Sequence, residues 1–505
     1  MAVDSFNTYF ADQPEERKKP GFFTAGVYAV SPVIFDSSNA ETLAFADRYR
    51  ARFNREPTLW SAQGYEAARL AVAAIRATAS ANSGAPDLQK RREAIRAYLV
   101  SLDAPANGIA GLNGPLWFTP DRGRQQALRV GRFQNGIFVS APGQLVPVRD
   151  VDAAEIASKA VVEIGPGRFA RRQQVVYTGI FLNEISQVDI VRSTFTADFY
   201  LWMRFARDSG TVGSDPTDIK FPTLVRGSFD AQRPSAQGNL DDGTTYRLWQ
   251  VTGDFRNDFD LHQYPADHQS LAMGFFNARA ASDRIVYVQD RRSSSVTASA
   301  DPGSKTGLRA ATVAQPADPF GGVVAADAFR NLTQWQPLRA SEVRDNLVTQ
   351  SALGDPRLVG LERVRELSGF GLKIELRRRV LATLAKTLLP LGLIAAIMYA
   401  SLHFPVALEK EKIAVAITGA LSGAVLLSSI NSQLGNVGYV MAVEYGFYAF
   451  FVLCLLCIVA ALAAQRLRAS DRQSASVMVE RTSRYLFVTV FVAITATAWL
   501  AYTRS

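Results

Sequence analysis

KIAVAITGALSGAVLLSSINS, Lys412 to Ser432, is too polar for an ordinary lipid-facing span and too apolar for a soluble loop. Wound as an α-helix, it sets Ala414, Thr418, Leu421, Val425, Ser428 and Ser432 at alternating steps of four and three, forming one continuous stripe. The polar members of the stripe are small hydroxyls and its middle is aliphatic. That composition suits the wall of a narrow water-filled pore with a hydrophobic constriction.

Around this segment the chain of 505 residues divides by hydropathy. The first 375 residues read as soluble and most of the remainder as membrane. Candidate spans are 380–402, 413–432, 437–464 and 485–502, each near the length of about 20 residues needed to cross hydrocarbon. The net charge of +9 does not point to nucleic acid, because much of the arginine flanks the spans. Cys454 and Cys457 lie one helical turn apart inside the third span, so no disulfide is expected. Arg466, Arg468, Arg472, Arg481 and Arg484 between spans three and four put that loop in the cytoplasm and both termini outside. A large exported head predicts a signal peptide, yet Met1–Ser5 begins no charged-then-apolar pattern, and the natural start is expected to differ.

Residues 1–150 read as an α/β module. Ala25 to Phe35 suggests a strand, and Ser38 or Asn39 can cap a helix carrying Leu43, Ala46, Tyr49 and Phe53. Helices over 62–78 and 88–102 follow, then short strands with an Asn-Gly hairpin. Residues 151–172 read as a linker, and 173–379 as an antiparallel β-sandwich. Its clearest strand alternates Phe195, Ala197, Phe199, Leu201 and Met203 with Thr196, Asp198, Tyr200, Trp202 and Arg204. Further strands are expected near 175–185, 246–255, 270–276, 284–289, 347–351 and 371–376, with 293–319 as an unstructured insertion. Residues 380–505 complete a multi-domain chain with a four-helix transmembrane domain.

Two resemblances join these pieces. YAVSPVIFDSSNAETLAFADRYRARFNREPT, GYEAARLAV and VGRFQNGIFV resemble the carboxy-terminal part of type I periplasmic solute-binding proteins of the branched-chain amino acid group. Tyr65 and Glu66 match a pair often found near that family's cleft, or else they pack a helix start against a strand. The second resemblance is to the prokaryotic pentameric ligand-gated ion channels of the Cys-loop receptor family. It rests on FDLHQYPADHQSL with Tyr264, Pro265, Asp267 and Gln269, on Arg377-Arg378-Arg379 before a span containing Pro390, and on Glu411-Lys412 opening the pore-like helix. Asn257 and Leu271 stand where animal members have cysteines.

That second resemblance implies roles. A fivefold ring of Glu411 would attract monovalent cations, although Lys410 or Lys412 aimed at the lumen would cancel it. Leu421 and Val425 would form the gate, and Thr418 and Ser428 would offer hydroxyls to hydrated ions. Gly419 and Gly423 would thin the opposite side for close helix packing. Asp267 with Arg378 would couple the loop to the membrane domain, with Pro265 shaping a tip pressed on residues 433–438. His262 and His268 flank the loop and could sense protons. Glu444 is the one carboxylate expected within the membrane zone. By alignment Phe205, Phe221, Phe276 and Trp335 fall nearest the family's ligand box, but the loop 351–366 expected to cap it has no aromatic.

No phosphate loop, HExxH or nucleophile elbow appears, so neither an enzyme nor a metal or other cofactor is expected. The chain is expected to be a homopentameric, cation-selective ligand-gated channel of a bacterial inner membrane, with its head in the periplasm. A small molecule or protons would open it. The alternative is a membrane-anchored solute-binding receptor or transporter partner that does not conduct.

Overall fold

A computed structural model describes residues 9–10, 13–37, 39–53, 57–79, 88–112, 114–124, 128–134, 136–148, 151, 153–157, 161–207, 215–291, 322–349, 365–435 and 437–504. Ser38, the insertion 293–319 and the loop residues 351–364 lie outside them. The amino-terminal module has helices α1 (Ala40–Phe53), α2 (Leu59–Thr78) and α3 (Leu88–Ser101). Beside them is an antiparallel sheet of β1 (Tyr28–Ser31), β2 (Arg129–Gln134) and β3 (Ile137–Ser140), with β2 central. Asn39 accepts the Thr42 N–H at 3.0 Å and so starts α1. α2 begins ahead of the expected residue 62, because Thr58 and Ser61 form a reciprocal cap. Val33, Phe45, Ala62 and Leu112 make the module's small core.

The segment expected as a linker carries ordered structure. The strands Gly143–Val148 and Val161–Gly165 both pair with β4 (Arg168–Asp189). β4 continues into β5 (Thr194–Ala206), which pairs with β6 (Thr244–Arg256). A second sheet holds β7 (His268–Ala281), and β8 (Ile285–Gln289) returns the chain to the first sheet. β9 (Trp335–Arg344) and β10 (Arg365–Arg378) complete the second sheet.

The strand β9 is a feature the residue pattern conceals. Pro337 and a register shift before Arg339 break its alternation, so WQPLRASEVR does not read as a strand. Strand pairing also departs from a purely antiparallel arrangement, because β8 runs parallel to β4. The chain crosses between sheets at Ser282–Arg284, where Gln174 donates to Arg284 O at 2.8 Å.

The two sheets share one core. Val176, Ile180, Phe199, Leu201 and Met203 from the first meet Leu271, Met273, Phe275, Ile374 and Leu376 from the second. β5 buries Phe195, Ala197, Phe199, Leu201 and Met203 and leaves the intervening residues half-exposed as far as Trp202, the period-2 pattern of a strand over a core. Arg204 breaks the pattern. It is buried on the other face, over the Tyr177 ring at 4.4 Å and 2.9 Å from Asp290.

Four long helices end the chain: α4 (Val380–Ser401), α5 (Glu409–Leu434), α6 (Ala442–Ala469) and α7 (Gln473–Arg504). Among the described residues, two of them, α5 and α6, are long and apolar enough to cross a membrane. This corrects the expectation of four spans. Within α4 the described stretch Leu389–Ser401 is a shorter apolar helix. The first twelve residues of α7 include Glu480, Arg481 and Arg484. Leu391, Ala395 and Met398 of α4 pack with Phe447, Phe450 and Leu453 of α6 in one helical core. The two cysteines are buried there as free thiols, with Cys454 Sγ 3.5 Å from Met398 Sδ.

Candidate coupling loop and pore helix

The loop from Asn257 to Asp267 joins β6 to β7 at the end of the β-domain nearest the helices. Its organising contact is a buried fork. Arg378, the last residue of β10, donates from Nε to Asp267 Oδ1 at 2.6 Å and from Nη2 to Oδ2 at 3.1 Å. Both side chains are almost wholly buried. The guanidinium lies between the Trp335 ring at 4.1 Å and the Tyr264 ring at 5.0 Å. Gln269 completes the set: its Nε2 donates to Asp267 Oδ2 and to Asp260 O, each at 2.7 Å. With two aromatic rings against the guanidinium and both carboxylate oxygens filled, the pair offsets much of its desolvation. Tyr264–Pro265 is a cis peptide within this loop.

The loop also reaches the helices. Leu261 and Tyr264 belong to the helical core rather than to the β-domain core. Leu261 N–H donates to Tyr439 Oη at 2.8 Å, the His262 ring stacks on Tyr439 at 3.7 Å, and Ala442 N–H donates to His262 O at 2.9 Å. The contact therefore falls on Tyr439 and Ala442, a few residues beyond the expected 433–438. The start of that link meets another element, the β4–β5 turn, where Val191 lies against Gly435. Asp260 sits below the usual carboxylate range because the His262 N–H and ring hold its anion. His268 opens β7 opposite Arg377.

On α5 the two faces differ sharply. Lys412, Ala416, Gly419, Gly423, Ile430 and Leu434 are buried. Gly419 and Gly423 have to be small, because a Cβ at Gly419 would stand 2.9 Å from Met398 Sδ and one at Gly423 would stand 2.8 Å from the Phe450 ring. On the far side Glu411, Ala414, Thr418, Leu421, Val425, Ser428 and Ser432 are all exposed, Leu421 at 66% and Val425 at 63%. Ser432 turns its hydroxyl back to Ser429 O at 2.8 Å. Among the described residues Thr418 and Ser428 make no side-chain hydrogen bond within the chain.

The charges at the start of α5 sort themselves. Lys412 points inward to Glu480 at 3.2 Å, Arg468 bridges Glu480 at 2.6 Å and also Glu409, and Glu411 and Lys410 stay exposed. Lys412 therefore does not accompany Glu411 on the exposed stripe. Pro390 lies inside α4, half-buried. Glu444 is a helix cap rather than a lone membrane carboxylate: its Oε2 accepts the Met441 N–H at 3.2 Å in the first turn of α6.

The four aromatics assigned by alignment do not gather in a single chain. Phe221 and Trp335 are buried in the β-domain core, Phe221 among Phe199, Phe229, Phe255 and Phe275. Phe205 and Phe276 sit half-buried on different sheets and have no ring neighbour among the described residues. In the module, Glu66 is occupied by Leu112 N–H at 2.9 Å and by Arg124 at 2.5 Å, while Tyr65 packs on Phe45. Among the described residues no group of His, Cys, Asp and Glu is placed to hold a metal.

The fold and this geometry define a class: a periplasmic-type module joined to a two-sheet domain and a helical region with two helices able to cross a membrane. Residues 8–136 match the family model described as periplasmic binding protein, which accounts for the module and for none of the rest. A comparison with curated proteins finds no match.

Proposed function

We propose that the chain is a membrane-anchored receptor whose membrane part is a cation-conducting pore built from several copies of α5. The module match and the two membrane-length helices support the receptor. The single observation carrying the pore is the unpartnered face of α5. It combines a carboxylate at one end, hydroxyls at Thr418 and Ser428, and large apolar groups at Leu421 and Val425, while its opposite face packs closely on α4 and α6. A helix that only anchored the chain would have no use for hydroxyls aligned with that leucine.

In this reading Glu411 rings the cytoplasmic mouth, Leu421 and Val425 hold the dry constriction, and the Asp267–Arg378 loop transmits a change in the β-sandwich to the link before α6. Five copies and gating by a small molecule or protons follow from the resemblance to the pentameric channels. The second reading, an anchored solute-binding receptor that does not conduct, is favoured by the family match ending at residue 136 and by the presence of only two membrane-length helices among the described residues.

Leu421→Ser separates them. In liposomes the pore reading expects this change to remove the dewetted constriction and raise resting potassium flux at least tenfold. Unchanged flux, with the protein folded and inserted, selects the non-conducting receptor.

A further inference from the structure

Between α6 and α7 runs a groove that neither the exposed face of α5 nor the coupling loop uses. It holds about 440 Å³, within the ~300–1,000 Å³ usual for ligand pockets. No charged side chain lines it. Its floor includes Cys457 and Phe487, which are buried in the helical core. Its rim includes Val459 of α6, 53% exposed, and Met478 of α7, 71% exposed, so it opens on the side turned away from that core.

Cations without acidic partners flank that rim. Residues 466–484 hold five arginines against two acids, Asp471 and Glu480. Arg468 is spent on Glu480 and Glu409, and Arg484 Nε donates to Leu402 O at 3.1 Å. Arg466, Arg472 and Arg481 are exposed and make no ion pair among the described residues, with Asp471 or with any other acid. Arg466 extends the line of the lining residues Val459 and Ala463 by one more helical turn. Arg481 follows Met478 by one turn on α7, over the Tyr485 ring at 5.9 Å. Each side of the opening therefore carries a guanidinium with no anion.

We propose that this groove binds an anionic phospholipid of the bilayer, one acyl chain lying between α6 and α7 and the phosphate held by Arg466 and Arg481. The inference rests on the reading of the chain as membrane-anchored and is independent of whether it conducts. An apolar trough that runs to a pair of free cations matches a molecule with a long tail and a negative head. A packed apolar helix would fill the trough and leave both guanidinia without an anion. The lipid braces α7 against α6 beside Glu480, whose pairing with Lys412 holds the start of α5.

The test is native mass spectrometry of the full-length protein in a neutral maltoside detergent, titrated with dioleoylphosphatidylglycerol, dioleoylphosphatidylcholine or glycerol 3-phosphate. The first phosphatidylglycerol should bind about tenfold more tightly than the first phosphatidylcholine. Arg466→Gln and Arg481→Gln should each weaken it about fivefold and leave phosphatidylcholine unchanged. Ala463→Phe, which fills the groove, should weaken both lipids; if it misfolds, the two arginine variants decide alone. Glycerol 3-phosphate should not bind, and binding as tight as that of the lipid would show that the groove takes no part. Flotation with liposomes separates the two readings. Protein that does not float overturns the membrane anchor and this site together. Protein that floats but binds both lipids alike, or whose arginine variants keep full phosphatidylglycerol affinity, overturns this proposal alone. A higher oligomer that Ala463→Phe breaks up would make the groove a contact between copies, and overturns it as well.

Discussion

At the scale of single residues the strongest commitments are buried charges. The Asp267–Arg378 fork is buried and bidentate, so removing one partner strands the other. Asp267→Asn should destabilise the β-domain by about 3–5 kcal/mol in denaturant unfolding. Replacing both members, with Asp267→Leu and Arg378→Met together, should recover most of that loss, because an apolar pair needs no partner. If the single and double variants were equally damaged, the fork would matter for shape rather than for charge. This pair was legible in the sequence because its loop motif and the arginine run are each local. The inward turn of Lys412 was not, since its partner Glu480 lies far along the chain on another helix. The same distance hid Arg204 with Asp290.

At the scale of elements, the two sheets are tied by a carboxylate in their core. Glu342 of β9 accepts Ile180 N–H from β4 at 2.6 Å and Gln289 Nε2 from β8 at 2.9 Å. Burial raises its acid to about 7, with those hydrogen bonds working against the rise. The unfolded chain releases this proton near the ordinary glutamate value, so between about pH 4.5 and 7 the folded state binds more protons than the unfolded one. Stability from this group is therefore intact at low pH and falls as pH climbs through that window, by an amount on the order of 3 kcal/mol. Glu342→Gln should flatten the fall: its unfolding temperature should change less than that of the wild type between pH 5 and pH 8. Parallel pH profiles would place the proton elsewhere. β5 announced itself by alternation, whereas β9 did not, because the groups it buries include Glu342 and its register slips at Pro337. A polar residue at an inward position reads as a loop until its partners on other strands are known.

At the scale of the whole molecule, the module is docked onto the β-domain rather than strung ahead of it. Tyr177 donates to Ser140 O at 2.7 Å, Val175 N–H donates to Pro142 O at 3.0 Å, and Gly143–Val148 is an edge strand on β4. Between them Val175, Tyr177, Val286 and Val288 form a second apolar cluster, on the face of the first sheet turned away from its main core. Composition revealed three kinds of segment along this chain, but it could not reveal this contact, because those four residues read simply as alternate members of ordinary strands. The contact makes a prediction about cutting the chain. A protein beginning at Gly143 keeps the edge strand but uncovers the cluster, and side chains of this size favour burial by about 1.5–3 kcal/mol each. It should bind a hydrophobic dye and unfold at lower temperature than the full chain. One beginning at Val151 also loses the strand that covers the β4 edge, and it should aggregate as well. A protein beginning at Gly143 that matched the full chain in unfolding temperature and bound no dye would mean that the module rests on the sheet without supporting it.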